Sequence, residues 1–290
     1  EAARRQFLPL LFQNHKAVSH LLEKGHFTRL VKLAKSDGGT NFDELLSVPA
    51  VLEHLAATNQ FELFLDFTKS EADNNTRRNL LRNVFSRTGA VDALIASNIF
   101  PELLKLIQAE PDATWRGSLL GPVVSSPAVV SHLAVTKKLN VLVSIVENES
   151  SPVVRTRLAT YLTNRTESVA TFVEHGMLSS LIEITNEHST GTNRGSTLAR
   201  IVTNSTALKR LEEERRVGLL LSFIDDPDKQ FVSTYISRLM STSSAIRLLV
   251  EQGYYSDLFK LATTAADAKT RASLITRLLG DNKAVEQLLL

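Results

Sequence analysis

The sequence predicts an all-α superhelix built from about seven helical repeats. Three observations predict it: one apolar pattern returns at a near-constant interval, apolar residues inside each interval keep helical spacing, and period-two strand patterning is absent throughout.

The interval is read from a short motif. Ala50-Val51-Leu52-Glu53-His54-Leu55 returns as Ala90-Val91-Asp92-Ala93-Leu94 and as Ala128-Val129-Val130-Ser131-His132-Leu133. Its last residue sets an anchor column of Leu21, Leu55, Leu94, Leu133, Phe172, Leu211, Leu249 and Leu288, separated by 34, 39, 39, 39, 39, 38 and 39 residues. The chain is therefore read as one solenoid domain over 1–290. A partial repeat occupies 1–20, and about seven repeats of about 39 residues fill 21–290.

Each repeat opens with a first helix. Six residues after the anchors stand Phe27, Phe61, Phe100, Leu139, Leu178, Val217 and Tyr255. Nine after stand Leu30, Phe64, Leu103, Leu142, Leu181, Leu220 and Leu258; twelve after stand Leu33, Phe67, Leu106, Ile145, Ile184, Phe223 and Leu261. Steps of three hold these side chains on one helix face. A polar loop follows, and then a second helix, with openings at Asn74-Asn75-Thr76, Asp112-Ala113-Thr114, Ser151-Pro152-Val153 and Asp267-Ala268-Lys269. Asn, Asp and Ser there suit N-caps, and Pro fits a first turn. Apolar pairs four apart continue it: Leu81 and Phe85, Leu119 and Val123, Leu158 and Leu162, Leu274 and Leu278. It ends in polar or Gly residues such as Thr203-Asn204-Ser205 and Gly280-Asp281-Asn282. A third, short helix carries the anchor and leads into the next repeat. Helical hairpins of this length cannot bury their apolar faces alone, so they must stack.

Composition bounds the function. The 290 residues are 43% hydrophobic and 22% charged with a net charge of +2, which excludes a disordered chain. No Cys is present, which removes disulfides, thiolate zinc sites and cysteine nucleophiles. Aromatic residues are 6%, thin for a surface that stacks on bases. No window of eighteen apolar residues occurs, so no membrane span is expected. The start, Glu1 to Phe7, lacks a signal-peptide pattern. The abrupt start and the terminal Leu288-Leu289-Leu290 raise the expectation of a segment of a longer or processed protein, with further repeats or a dimer contact at that end. The absence of Cys fits several compartments; a cytoplasmic or nuclear location is the expectation.

The stretch from Ser151 to Leu162, with Val154-Arg155 after its opening, resembles the second helix of a HEAT repeat, as does Thr270 to Leu279. Phe172 to Ile182, with Gly176 at its centre, resembles the Gly-containing junction of armadillo repeats, and Val250 to Leu258 echoes it. The resemblance covers nearly the whole chain. The repeats are a little shorter than a usual armadillo repeat, and the groove-lining Trp and Asn of that family are not repeated. It implies second helices lining a concave face, no cofactor, and a non-enzymatic scaffold whose partner is a protein or peptide.

The candidate site is a charged column: Arg5, Gly39, Arg78, Arg116, Arg155, Arg194, Ser233 and Arg271. Two readings stand. In one, similar to the HEAT Asp–Arg ladder, Arg78, Arg116, Arg155, Arg194 and Arg271 bridge to loops or carboxylates of neighbouring repeats, a task suited to the guanidinium fork. In the other, the same five face a partner and bind carboxylates or phosphates, which makes nucleic-acid binding the alternative function. Balanced charge and few aromatics weigh against nucleic acid.

Other features read as structural. His20, His54 and His132 share a column one residue before the anchor, and adjacent repeats put them about 10 Å apart, too far to share an ion. No His-Glu-x-x-His, phosphate-cradling Gly loop or Gly-x-Ser-x-Gly elbow is present. Gly191 to Ser196 is expected as an inter-helix connector, Asp225-Asp226 and Glu212-Glu213-Glu214 as solvated charge or helix-dipole partners, Trp115 as packing, and Tyr254 as exposed. The loop from Ser36 to Asn41, where the first interval is short, marks an irregular repeat.

Overall fold

The structure is a computed structural model, and it describes residues 2–35, 40–46, 48–58, 60–70, 73–85, 94–95, 100–264, 268–280, 282 and 285–286. The chain divides into two compact units, Glu1–His132 and Leu133–Leu290. Among the described residues all regular structure is helical.

In chain order the helices are α1 (Ala2–Gln13), α2 (His15–Glu23), α3 (Phe27–Lys35), α4 (Thr40–Leu46), α5 (Pro49–Ala57), α6 (Phe61–Ser70), α7 (Asn74–Phe85), α8 (Phe100–Gln108), α9 (Ala113–Ser125) and α10 (Pro127–Val135). There follow α11 (Asn140–Glu147), α12 (Pro152–Leu162), α13 (Thr166–Glu174), α14 (Leu178–His188), α15 (Gly191–Val202) and α16 (Ser205–Glu213). A 3-10 turn spans Val217–Leu220, and α17 (Lys229–Leu239), α18 (Ser243–Glu251), α19 (Tyr255–Thr264) and α20 (Ala268–Leu279) complete the chain. A full repeat is thus an anchor helix, a first helix and a second helix, as α13, α14 and α15 show.

Like packs on like inside each unit. In the first, anchor helix α2 meets α5, first helix α6 meets α8, and second helices α4, α7 and α9 pack in series. In the second, anchor helices α13, α16 and α18 pack in series, first helix α11 meets α14, and second helix α15 meets α17. This is stacking of an α-solenoid: within each unit one repeat covers the apolar side of the next. The predicted columns form the core. Leu55, Leu94, Leu133, Phe172, Leu211 and Leu249 are buried, as is every first-helix residue nine after an anchor. Among second-helix residues, Leu81, Leu119, Val123, Leu158, Leu162, Leu274 and Leu278 are buried too.

The anchor column has a backbone signature. The carbonyls of Leu21, Leu55, Leu133, Phe172, Leu211 and Leu249 accept the amides of His26, Gln60, Lys138, Met177, Arg216 and Tyr254, each five residues on, at 2.7–2.9 Å. A second bond crosses inside it, for example from the Gly176 amide to the Val173 carbonyl at 2.9 Å. Together they make the Schellman C-cap, whose closing residue must be left-handed. That residue is Gly25, Lys137, Gly176, Arg215 or Gly253, with φ between 54° and 85°. The Gly of the armadillo-like junction therefore ends the anchor helix and turns the chain into the first helix.

Four expectations are corrected. The cap of α7 is Asp73, one residue before Asn74: its carboxylate accepts the Thr76 amide at 2.6 Å. The first helix after Leu211 contracts to the 3-10 turn, where Gly218 is a poor helix former. Val217, Leu220 and Phe223 stay buried because spacing three matches that turn. Gly191 to Ser196 forms the opening turns of α15 rather than a connector, because Gly195 lets α17 come close: a Cβ there would lie 2.6 Å from the Phe231 carbonyl oxygen. In the first full repeat Leu22, at 7% exposure, is buried while Leu21 is half-buried. Residues 36–39, Asp267, Leu288, Leu289 and Leu290, and the side chains of Arg5, Phe67 and Phe85, lie outside the described residues. No single helix among the described residues is long and apolar enough to cross a membrane.

Candidate functional site

Capping geometry places the arginine column. Asp112 and Ser151 cap α9 and α12 through their side chains, accepting amides at 2.9–3.5 Å, and Thr190 is the extended residue before α15. Arg116, Arg155 and Arg194 follow these positions by four residues, one helical turn, and so point back over the loop that precedes the helix. Arg116 Nη1 donates to the Glu110 carbonyl at 2.5 Å, and Arg155 Nε to the Glu149 carbonyl at 2.8 Å. Arg194 Nε donates to Asn186 Oδ1 at 3.0 Å.

Two arginines also reach the next repeat. Arg78 Nη2 lies 2.6 Å from Glu110 Oε1 and 3.8 Å from Asp112 Oδ2; Arg194 Nη2 lies 2.8 Å from Asp226 Oδ2. Glu110 and Asp226 each stand thirty-two positions further on. Thirty-seven positions on, both find an aromatic ring: Arg78 over Trp115 at 5.6 Å, Arg194 over Phe231 at 4.2 Å. Arg82 covers Trp115 as well, at 5.4 Å, so the indole is half-buried packing between cations. Arg271, on α20, is half-buried.

The sequence reading missed the acids that receive these arginines. Glu110, Glu149 and Asp226 each sit two residues before an N-cap and accept that residue's amide, from Asp112, Ser151 and Asp228, at 2.8–3.0 Å. The Arg78 hydrogen bond, followed by the Asp112 amide, holds the Glu110 carboxyl below its ordinary range against the opposing effect of burial. The Asp228 amide foremost, then Arg194, does the same for Asp226. Asp226 is therefore no solvated charge. The signal was available: Glu110, Glu149, His188 and Asp226 recur at 39, 39 and 38 residues. His188 is the exception in the column. Burial foremost, and then the Arg155 charge, lowers its pKa, and its Nε2 has no hydrogen-bond partner.

A second missed pattern is charge segregation. Second helices α7, α9, α12, α15, α17 and α20 all carry Lys or Arg, and none carries Asp or Glu. Only α4 departs, with Asp43 and Glu44. Late in these helices runs Tyr161, Arg200, Arg238 and Arg277, at intervals of 39, 38 and 39. None of the three arginines has an acidic partner among the described residues. Arg200 donates only to the Thr163 carbonyl, at 3.4 Å. Beside Arg277, a cavity of about 500 Å³ is lined by residues that include Ser241, Ser243, Arg247 and Gly280.

The remaining features are local. His20 is exposed near Glu23, and the His54 ring packs on Phe27 at 4.8 Å. Among the described residues no group of three His, Asp or Glu could hold a metal. Glu213 and Glu214 pair with Lys209, Arg210 and Arg216. Tyr254 is half-buried against Gly218 rather than exposed.

The fold defines an all-α helical-repeat protein, on the evidence of its three-helix repeats and their like-on-like packing. No protein-family model matches the chain, and no curated protein matches it by sequence. Among solved structures, an engineered protein is 19% identical, covering 94% of this chain and 70% of its own, with a TM-score of 0.45. A designed armadillo repeat protein is 15% identical, covering 74% and 96%, with a TM-score of 0.43. A second engineered protein is 18% identical, covering 78% and 97%, with a TM-score of 0.45.

Proposed function

We propose that the chain is a non-enzymatic scaffold that binds a protein or peptide partner along the face formed by its second helices. The observation that carries this reading is the charge segregation. A chain of net charge +2 places Lys and Arg, without Asp or Glu, on six second helices. Arg78 and Arg194 reach the next repeat while Arg116 and Arg155 hold the loops before their own helices, which supports a structural role for these four and a bridging role for the first two. Recognition then falls to exposed positions later in the same helices. A repeating surface of this kind gains affinity from several modest contacts.

The test is capture of a partner on the immobilised chain, identified by mass spectrometry, and repeated with the exposed Arg238 and Arg277 changed to Glu. A partner held by the parent chain and lost by the variant is the expected result. Nucleic-acid binding is the second reading, favoured by the same acid-free helices. Retention on heparin or on random duplex DNA, falling steeply with salt, would establish it in place of the first. A dimer contact at the C-terminal leucines is a separate proposal, tested by light scattering at two concentrations.

A further inference from the structure

We propose that Arg200, Arg238 and Arg277, with Arg247 beside them, bind an extended acidic segment of a partner protein, one carboxylate to each repeat. This rests on the scaffold reading above and adds the chemistry of the partner and the residues that hold it.

The contrast between two arginine columns carries the inference. Arg78 and Arg194 each find a carboxylate and an aromatic ring one repeat away, so their charge is answered inside the protein. Arg200, Arg238 and Arg277 recur at the same interval, yet no carboxylate among the described residues answers them. Arg200 is half-buried, with one long bond to a carbonyl. Its pKa is lowered by desolvation first and by the Arg238 charge second, so the two cations share one surface and repel each other. A partly desolvated guanidinium is costly without an anion, and a planar fork selects carboxylate. At the end of the column, Arg277 and Arg247 open on the cavity of about 500 Å³, where the hydroxyl-bearing Ser243 adds a donor.

Spacing selects the form of the ligand. Packed helices stand about 8–10 Å apart, and an extended polyproline II chain advances about 3.1 Å per residue with three residues per turn, so every third side chain returns to the same face about 9 Å further on. Acidic side chains at every third position of an extended segment therefore meet successive arginines. Nucleic acid fits less well. Tyr161, at 36% exposure, is the one aromatic in the column, which leaves no platform for stacked bases.

The test uses the full chain and fluorescent peptides of about fifteen residues in a Gly/Ser background. One carries Glu at every third position, a second carries Gln there, and a third carries the same number of Glu as one contiguous block. Single-stranded and duplex oligodeoxynucleotides of equal charge complete the set. The expected result is at least tenfold tighter binding of the spaced Glu peptide than of the Gln peptide, and severalfold tighter than of the block. The R200Q/R238Q/R277Q variant should lose at least tenfold, whereas R157Q, exposed on α12 outside the column, should change affinity less than twofold. Circular dichroism confirms that each variant is folded; if the triple variant is not, R277Q alone must show a severalfold loss. Equal binding of Glu and Gln peptides, an R157Q loss as large as the triple variant's, or tighter binding of either oligonucleotide would overturn the proposal. Partner capture that persists in the triple variant would sink this column and leave the scaffold reading standing; no capture by the parent chain would sink both.

Discussion

Arg194 lies over Phe231, its guanidinium carbon 4.2 Å from the ring centroid, while its Nη2 is 2.8 Å from Asp226. One side chain therefore ties α15 to the loop and the first turn of α17. Arg78 repeats the arrangement on Glu110 and Trp115. Arg194→Ala should destabilise the protein by about 1–3 kcal/mol, since it leaves a half-buried carboxylate without its charged partner. Arg155→Ala, which removes a bond to its own loop, should cost about 1 kcal/mol. Urea unfolding of both variants, with Asp226→Asn to complete a double-mutant cycle, measures the difference. Additivity of Arg194→Ala and Asp226→Asn would refute the bridge.

Lys137 and Arg215 occupy the left-handed closing position that Gly25, Gly176 and Gly253 fill elsewhere. A side chain there costs about 1–2 kcal/mol, and the greater unfolded-state freedom of Gly takes back about 0.4–1 kcal/mol. Lys137→Gly and Arg215→Gly should each stabilise by about 0.5 kcal/mol on that difference. Gly176→Ala should destabilise, by about 1 kcal/mol. Opposite shifts in denaturant midpoint are the check.

Gly195 lets α15 and α17 approach closely: a Cβ there would stand 2.6 Å from the Phe231 oxygen and 3.1 Å from the Tyr235 nitrogen. Backbone cannot swing aside as a flexible side chain can. Gly195→Ala should therefore cost about 1–3 kcal/mol despite the better helix propensity of Ala. A gain in melting temperature would show that the helices separate freely.

His188 should make stability depend on pH near neutrality. Its folded pKa is lowered by burial and by Arg155, with Glu187 and Glu147 opposing. As pH falls below about 6.5 the unfolded chain takes up the proton first, so stability declines until the folded value is passed. His188→Gln should flatten that slope. Glu110 and Asp226 act lower: their folded values are depressed, so their contribution is present above about pH 4 and is lost as pH falls through those values. Denaturant midpoints from about pH 2 to 8 separate the two windows.

The sequence alone determined the repeat, its core and its helix order, because burial of one face repeats with the chain: Leu142 and Leu181 answer to the same pattern whatever lies beyond them. It also carried an acid column at Glu110, Glu149 and Asp226, and acid-free second helices, patterns of charge that apolar periodicity does not reveal. Tertiary structure alone decided which arginines are answered. Arg194 and Arg200 lie six residues apart on one helix, and only packing places Asp226 and Phe231 against the first and leaves the second with a carbonyl. Packing likewise turned Gly191 to Ser196 into helix, since contact with α17 outweighs the weak helix propensity of two glycines. Local periodicity is a property of one segment, whereas charge pairing and close approach depend on distances between segments.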